Sequence, residues 1–424
     1  MKIDDIRPSN PTNEGGEAPS TNTENFQTPE EASATDHIEQ EATLPTASLA
    51  EENSNDNMSS STPSKPKQGA RFERFALHWP PGKKEWAVFA IVVLLLILGL
   101  TIFLIRHHPK PVVITKAVPI VPAKPVTVAS RLTGVQVSPA LAKLPVTGIM
   151  IENSDQARPQ SSLSQAGVVY EALAEGGITR FLALYEEGQP TSIGPIRSAR
   201  PYFIDWLLPF DASYAHVGGS PQALSEIQSL NVKDMDEFSH GGNYTRISTR
   251  AAPHNVYTSM TSLSSLEQSK GWTTMNFTGF PRKADAPSKA PTASTINFNI
   301  AGPDMAVNYV YDAKLNSYKR SEGGAPMVDA NTSQQLEPKV VIAIVVPWVN
   351  GPLDASGAHY TAYSDVGSGT AYVFQDGTVT QGVWLKSTQA SQIQFDTANG
   401  AVIKLNPGQT WISAVGTTPE VTYN

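Results

Sequence analysis

The chain of 424 residues contains no cysteine. This absence excludes disulfides, thiolate metal ligands, a cysteine nucleophile and a lipid-modified N-terminal cysteine. The sequence also lacks the HExxH pattern of zinc metalloproteases and the GxSxG pattern of many serine hydrolases. It therefore predicts neither a metal nor a cofactor. A chain without cysteine suits an oxidising compartment.

The first 64 residues have few basic and few aromatic side chains. They contain 13 aspartates and glutamates but only Lys2 and Arg7 as basic residues, a net charge of −11. Such a segment cannot bury enough apolar surface to offset the entropy lost on ordering, so we predict that it is disordered. Because the whole chain carries −8 and this segment −11, residues 65–424 carry +3. That balance gives no support for nucleic-acid binding, which would require a basic surplus.

The run from Trp86 to Ile105 lacks charged residues altogether. As an α-helix it would span about 30 Å, the thickness of the bilayer hydrocarbon core. A cleaved signal peptide is disfavoured because 85 residues precede the run and no clear cleavage site follows it. We therefore predict a single transmembrane helix. Six lysines and arginines lie at residues 65–84, just before the run, and four at residues 106–124, just after it, which favours a cytoplasmic N-terminus by a narrow margin.

The pattern of prolines divides the rest of the chain. Five prolines lie between Pro109 and Pro125, which predicts a semi-rigid extended stalk. A second low-complexity stretch separates two folded parts. The predicted organisation is a disordered acidic cytoplasmic tail with a basic end (1–85), a transmembrane helix (86–105), a stalk (106–144), a mixed α/β domain (145–280), a linker (281–294) and a β-rich C-terminal domain (295–424).

The predicted fold class is α+β, with a mixed α/β first exported domain followed by a β-rich domain. The segment "SYAHVGGSPQALSEIQSL" predicts a strand, a Gly-Gly turn and a helix, with Ser220 as N-cap and Pro221 as first helical residue. In "RPYFIDWLLPF", Pro201 similarly begins a short helix. The segment "KVVIAIVVPWV" predicts a buried strand. From Gly369 to Val415 we predict a meander whose strands are "TAYVF", "TVTQGVWLK", "IQF", "AVIKL" and "TWISAV".

The segment "VVYEALAEGGITRFLALY" permits two interpretations. A Gly-Gly pair between apolar runs is typical of a β-hairpin, but a helix ending at the glycines is also compatible with the pattern. In the hairpin, a two-residue turn would pair residue 175 with 178 and residue 171 with 182. Arg180 would then lie diagonally between Glu171 and Glu175 on one face of the sheet.

Several arginines lie near glycines or prolines, where loops converge. A guanidinium group offers a fork of donors that matches carboxylate or phosphate oxygens, so these arginines are candidate ligand-binding residues. The alternative is that they form internal ion pairs with Glu152, Glu171, Glu175 and Asp205. The candidate arginines are Arg158, Arg180, Arg197 and Arg200.

Two loop segments supply further candidates. In "HVGGSP", the turn of Gly218, Gly219 and Ser220 precedes a capped helix and could offer backbone N–H donors to an anion. In "APHNVY", His254 and Asn255 lie at a predicted loop. His216 and His254 are candidate catalytic acid/base groups, and their candidate carboxylate partners are Glu171 and Glu175.

Five motifs occur in an order that resembles the YerB-like family of bacterial cell-envelope proteins: "ARPQSSLSQA", "YEALAEGGITRF", "GPIRSARPYF", "HVGGSPQA" and "APHNVYT". The C-terminal segments "GVWLK" and "LNPGQTWI" resemble the family's second domain. The family has no established activity, and its members are often lipid-anchored. The resemblance implies an extracytoplasmic location and so an N-terminus inside the cell. This chain departs from lipid-anchored members because it lacks the cysteine.

We therefore expect a single-pass membrane protein whose exported part binds an anionic envelope ligand, such as a peptidoglycan fragment or a phosphate-bearing wall polymer. Besides the membrane and this ligand, the sequence indicates no partner. One alternative is a wall-acting hydrolase or transferase that uses the histidine and glutamate candidates. A second alternative is a structural scaffold in which the arginines form internal ion pairs.

Overall fold

The computed structural model describes residues 82–108 and 125–424. The acidic tail, its basic end before residue 82 and residues 109–124 of the predicted stalk lie outside the described residues, and the expectations for them stay predictions. The chain divides into two compact units, residues 1–115 and 116–424.

In the first unit the described part is one helix, α1, Lys83–Arg106. Its end is capped by His107, whose N–H donates to the Phe103 carbonyl at 2.9 Å. Residues Trp86–Arg106 form a segment that is long and apolar enough to cross a membrane, and none of it is buried inside the protein.

The described part of the second unit contains four helices and twenty-one strands. The helices are α2, Pro201–Leu207; α3, Pro221–Ser229; α4, Glu237–His240; and α5, Met260–Ser269. The first nine strands are β1, Val128–Ala129; β2, Gln136–Val137; β3, Thr147–Glu152; β4, Val168–Leu173; β5, Thr179–Tyr185; β6, Ser213–His216; β7, Lys233–Asp236; β8, Thr245–Arg246; and β9, Val256–Tyr257. The remaining strands are β10, Thr295–Asn299; β11, Ala306–Asp312; β12, Ser317–Glu322; β13, Ala325–Pro326; β14, Val340–Val345; β15, Trp348–Leu353; β16, His359–Tyr363; β17, Gly367–Gln375; β18, Thr378–Lys386; β19, Gln394–Thr397; β20, Thr410–Val415; and β21, Val421–Tyr423.

A ten-stranded mixed sheet forms the centre of this unit, in the order β19-β18-β17-β14-β20-β4-β5-β3-β6-β7. Strand β20 lies between β14 and β4 and runs parallel to both. Strands from the two parts of the sequence therefore share one sheet. A second sheet of five strands has the order β13-β12-β11-β10-β21.

Apolar side chains cover both faces of the central sheet. On β14, Ile342 and Ile344 pack in a cluster with Phe203 and Trp206 of α2. The intervening Val341 and Ala343 pack in a different cluster with residues of the five-stranded sheet. Because successive side chains of a strand point to opposite faces, the uninterrupted apolar run of β14 matches a strand buried on both sides.

Several local predictions agree with the structure. Helix α2 begins at Pro201, and Ser220 caps α3, where its side chain accepts a hydrogen bond from the Ala223 N–H. The predicted strand at 339–349 is β14, and the first strands of the predicted meander are β17, β18 and β19. The mixed α/β character and the β-rich C-terminal part are therefore confirmed.

The prediction for the last two strands of the meander is wrong. Within the described residues, the segment "AVIKL" makes only isolated bridges, such as Asp396 with Val402. The segment "TWISAV" is β20, which does not continue the meander but crosses to the middle of the sheet. Its residues are all buried, and burial on both faces requires a central position that a hairpin-connected edge strand cannot give.

The predicted boundaries of the folded part also differ from the structure. Residues placed in the stalk form β1 and β2, and Leu132 between them is fully buried in the core. The predicted linker is packed against the fold: the Arg282 side chain donates to the Asn406 carbonyl at 2.8 Å, and Ala293 is fully buried. The low-complexity segment is therefore a connection that packs against the folded unit.

The Gly-Gly turn between β4 and β5 contains one more residue than predicted. Gly176 and Gly177 have φ of +62° and +75°, and positive φ at both central residues is typical of a tight hairpin turn. The additional residue lies next to these glycines. The Ile178 N–H donates to the Glu175 carbonyl, but the Ile178 carbonyl accepts from the Ala174 N–H. Ala174 and Glu175 thus both face Ile178, which is a β-bulge.

This bulge changes the register of the hairpin. Glu171 pairs with Phe181, and Ala172 pairs with Arg180. A shift of one residue moves a side chain to the other face of the sheet. The predicted diagonal contact between Glu171 and Arg180 is therefore wrong, because these side chains lie on opposite faces.

Candidate functional site

The loop "GPIRSARPYF" is fixed by backbone contacts to neighbouring elements. The Arg197 N–H donates to the Met150 carbonyl of β3 at 3.0 Å, and its carbonyl accepts from the Val217 N–H at 3.1 Å. A Cβ at Gly194 would lie 2.8 Å from the Val256 carbonyl oxygen, so only glycine allows this close approach. The backbone thus holds Arg197 between β3 and the turn after β6.

Arg197 shares a carboxylate with a histidine. Its Nε lies 3.3 Å from Oε1 of Glu152, and Nδ1 of His254 lies 2.8 Å from the same oxygen. The Glu152 side chain is buried, whereas those of Arg197 and His254 remain 26% and 20% exposed. In the described part of the chain, the terminal nitrogens of Arg197 and Nε2 of His254 have no hydrogen-bond partner. They are the donors of this group that remain available to a ligand.

Arg180 and Arg200 share a second carboxylate. The Arg180 Nη2 lies 2.6 Å from Oε1 of Glu175, and the Arg200 Nε lies 2.9 Å from Oε2. The Arg200 guanidinium also lies 4.9 Å from the ring centroid of Tyr360. The side chains of both arginines are buried, each with 6% exposure. These contacts hold both guanidinium groups inside the fold.

The two groups form one electrostatic cluster because Glu152 and Arg180 are paired residues of adjacent strands. Burial favours the neutral form of Glu175, but the positive charges of Arg180 and Arg200 outweigh the effect of burial and lower the pKa of Glu175. Burial lowers the pKa of Arg197, and the charge of Arg180 acts in the same direction. Three arginines thus face two carboxylates, which leaves a net positive charge.

Arg250 adds a further charge on the loop that carries His254. Its Nη1 donates to the Gln156 carbonyl and its Nη2 to the Pro159 carbonyl, both at 2.8 Å. No carboxylate of the described residues pairs with it. These bonds attach the loop that carries His254 to the loop that follows β3. We call Arg197, Arg250 and His254 together the cationic patch.

Arg158 lies apart from the other candidate arginines. It forms ion pairs with Glu322 of β12 and with Asp155, each at 3.1 Å. It also donates to the backbone carbonyl of Asn153. Arg158 therefore links the segment after β3 to the five-stranded sheet.

Two candidate catalytic residues are enclosed by the fold. His216 is fully buried, with Nδ1 2.8 Å from the Gly218 carbonyl and Nε2 3.0 Å from Oδ1 of Asp234. Glu171 is fully buried and accepts from Arg320, Trp411 and Ser413. Neither side chain faces open space, which acid/base catalysis on a bound substrate requires.

The turn before α3 uses most of its donors internally. The Gly218 N–H donates to Oδ1 of Asp236 at 2.7 Å, and the Ser220 N–H donates to the Ala199 carbonyl. Of the three candidate donors, only the Gly219 N–H has no partner in the described residues. The turn therefore offers an anion fewer free N–H donors than its composition indicates.

Asn255 belongs to the rim of the cationic patch. Its side chain contacts the Ile247 carbonyl and Arg246, in each case at 3.4 Å. Glu152 and Arg250 are site residues that the sequence did not single out as functional. Glu152 was considered only as a salt-bridge partner, and no motif surrounds Arg250. Among the described residues, no group of three or more His, Asp or Glu side chains is arranged to hold a metal ion.

Comparison with known proteins gives concordant matches. Two family models match, both described as protein of unknown function (DUF3048): the N-terminal domain over residues 132–273 and the C-terminal domain over residues 295–412. The chain is 30% identical over 288 residues to the "Putative lipoprotein YerB" of Bacillus subtilis (strain 168), with 67% of this chain and 85% of that protein covered. The crystal structure of YerB from Bacillus subtilis matches with a TM-score of 0.62 and 27% identity, and covers 70% of this chain and 99% of that one.

Proposed function

The chain belongs to the DUF3048 family of unknown function, and from this premise we propose that it is a membrane-anchored envelope protein whose cationic patch binds an anionic envelope ligand. The ligand class is a phosphate-bearing wall polymer or a carboxylate-bearing peptidoglycan fragment. The resemblance to YerB-like proteins, predicted from the motif order, is confirmed by these matches.

The proposed location is outside the cytoplasm, with α1 as a single membrane span and residues 1–85 inside the cell. The length and apolar composition of Trp86–Arg106 support this anchor. The printed name of the Bacillus subtilis relative calls that protein a lipoprotein. The present chain has no cysteine to carry a lipid, so a membrane helix would supply the attachment that a lipid supplies elsewhere.

The observation that carries the binding proposal is the charge of the cluster. Three guanidiniums share two carboxylates, and the terminal nitrogens of Arg197 have no partner in the described residues. Arg250 contributes another positive charge without a carboxylate of its own among those residues. A phosphate or carboxylate group would supply the acceptor oxygens, and a planar guanidinium binds such groups with two parallel hydrogen bonds.

The internal ion pairs favour different roles for different arginines. Arg158, Arg180 and Arg200 are held by carboxylates, as the scaffold alternative expects, and would stabilise the site. Arg197 would contact the ligand. A second candidate function is acid/base catalysis, favoured by the 2.8 Å contact between His254 and the buried Glu152, because a histidine held by a carboxylate can transfer protons at neutral pH.

The test measures binding of poly(glycerol phosphate) and of a muramyl tripeptide to the full-length protein in detergent. For Arg197→Gln we expect at least one probe to bind more weakly by about 1.5–3 kcal/mol, the range for hydrogen bonds to charged groups, with thermal stability unchanged. The control is Lys319→Gln, since Lys319 is an exposed cation of the five-stranded sheet paired with Asp312; it should bind the probes like the wild type.

Three outcomes separate the alternatives. Unchanged binding by Arg197→Gln would contradict the binding proposal. A large loss of stability in this variant would favour the scaffold. Release of cleaved wall fragments by the wild type but not by His254→Gln would favour the enzyme.

A further inference from the structure

A cavity of about 410 Å³ lies between α2, α3 and the β15–β16 hairpin. Tyr202 of α2 and Tyr360 and Tyr363 of β16 contribute to its wall, and Pro221 lies at the start of α3. Its volume is within the usual range of small-molecule sites, which are lined by apolar and aromatic groups with a few polar ones. None of the candidate residues of the cationic patch lines it.

Three carboxyl groups line the same cavity. Asp205 of α2 and Asp365 after β16 are 9% and 6% exposed, respectively, and lie close enough for the charge of Asp205 to act on Asp365. Glu226 of α3 is the third, and its Oε1 accepts from the Gln222 side chain at 2.9 Å. The charge of the buried Lys386, which lies on β18, acts on both aspartates.

Each of these carboxyl groups has a buried oxygen without a donor in the described residues: Oδ1 of Asp205, Oε2 of Glu226 and Oδ2 of Asp365. A buried acceptor that lacks a donor is energetically unfavourable, so a ligand that supplies donors is favoured here. Lys386 cannot fully supply them, because its ammonium donates to the carbonyls of Gln389 and Ser391, at 2.6 and 2.8 Å.

We propose that this cavity binds an organic primary ammonium group, whose N–H donors are taken up by the carboxyl groups of Asp205, Glu226 and Asp365 while the tyrosine-lined wall holds the body of the ligand. An ammonium has three donors and no acceptor, so it can donate to more than one of the carboxyl groups that line the cavity. Three carboxyl groups beside one lysine also favour a cation. A bare metal ion is a poorer fit, since these carboxylates are not arranged as a metal site.

The proposal is independent of the anion-binding proposal, because it rests on other residues. The ammonium could come from the side chain of a wall peptide or from an amino sugar. Two probe pairs distinguish these sources: the tripeptide Nα-acetyl-L-Ala-D-γ-Glu-L-Lys, whose only ammonium is that of the lysine side chain, with its Nε-acetylated form, and glucosamine with N-acetylglucosamine. Acetylation removes the charge and two donors while it keeps the body of the probe.

The experiment is calorimetric titration of the full-length protein in detergent. We expect at least one amine to bind at least tenfold more tightly than its acetylated form, and the pair that discriminates identifies the source. We also expect Asp365→Asn to lose about tenfold of this affinity. The exposed Asp304, which lies before β11, gives the control variant Asp304→Asn, which should bind like the wild type.

The pH dependence gives a second readout. Burial, with the neighbouring Asp205 charge, raises the pKa of Asp365 to about 7, and the other groups that face it are Lys386 of β18 and Tyr202 of α2. An ammonium prefers the ionised carboxylate. The affinity for the amine should therefore rise about tenfold from pH 6 to pH 8, as expected when one carboxyl group ionises with a pKa near 7.

Equal binding of an amine and its acetylated form for both pairs would overturn the proposal, and so would the absence of binding by either amine. This comparison uses the wild-type protein, so it stands even if Asp365→Asn fails to fold. Arg197→Gln should bind the amine like the wild type. The failure of one proposal is therefore distinguishable from the failure of the other.

Discussion

Arg320 is a fully buried arginine that joins the two parts of the sequence. Its Nη2 lies 2.8 Å from Glu171 of β4 and 3.2 Å from Glu322. Its guanidinium carbon lies 4.4 Å from the ring centroid of Trp411. Burial alone would lower the pKa of Arg320, but the neighbouring acidic groups, Glu171 above all, outweigh it and raise this pKa. The charge is thus fully compensated inside the protein.

Replacement of Arg320 by methionine should therefore destabilise the protein. Arg320→Met would leave Glu171 and Glu322 buried without their main cation, and loss of one partner of a buried ion pair costs about 3–5 kcal/mol. Urea unfolding measures the change. Lys319→Met on the same strand is the control, since Lys319 is an exposed residue paired with Asp312 and should leave stability almost unchanged. Equal stability of the two variants would contradict this assignment of Arg320.

The aspartate pair of the cavity should make stability depend on pH. The pKa of Asp365 is raised from 3.8 to about 7, so between these values the folded state binds more protons than the unfolded state. The free energy of unfolding should therefore fall as pH rises from about 4 to 7. Asp365→Asn should remove this slope and be more stable than the wild type at pH 8, by a few kcal/mol at most, since one pKa unit corresponds to about 1.4 kcal/mol. Parallel slopes in urea titrations of both proteins would contradict the raised pKa.

At the scale of single elements, the β4–β5 hairpin depends on the backbone of its turn. Gly177 has φ of +75°, and a Cβ there would meet no neighbouring atom within 4 Å. Gly177→Ala should therefore cost about 1–2 kcal/mol from the left-handed conformation alone. At Gly241, which has equal space and φ of −50°, the change to alanine should be neutral or stabilising by about 0.4–1 kcal/mol. Thermal unfolding compares the two, and the same sign for both would contradict this interpretation.

The elements also explain what the sequence could predict. Ser220 and Pro221 identify the start of α3 because capping acts within one turn of helix. The register of β4 could not be predicted in this way, because the bulge at Ala174 has no residue signal of its own and yet reverses the face of Glu171. Local signals therefore predict where elements begin but not which side chains meet.

The ion pairs of the site show the same limit. Asp205 follows Arg200 closely in sequence and was one of the acids considered as an internal partner, but Arg200 pairs with Glu175 from the hairpin turn, while Asp205 lines the cavity. Arg197 has no acid near it in sequence, and its partner Glu152 comes from β3. These contacts are made between strands that are distant in the chain. The candidate arginines could be found from loop composition, whereas their partners depend on sheet order.

At the scale of the whole second unit, the sheet order makes the two matched domains interdependent. Strand β20 comes from the C-terminal part, yet it lies in the middle of the sheet and pairs with β4 of the N-terminal part. All residues of β4 and β20 are buried. Without β20, β4 would become an exposed apolar edge strand, and such edges favour aggregation.

The two parts should therefore fold together and not separately. We expect a fragment of residues 125–424 to unfold in one cooperative transition, since its core is continuous across both parts. A fragment of residues 125–290 should aggregate or lack a cooperative transition, because it exposes β4 and leaves Glu171 without Arg320. Co-expression with residues 291–424 should restore a soluble complex by returning β20 to its place between β14 and β4. Calorimetry and sedimentation measure these outcomes, and a soluble, cooperatively folded monomer of 125–290 alone would contradict the interdependence that the sheet order implies.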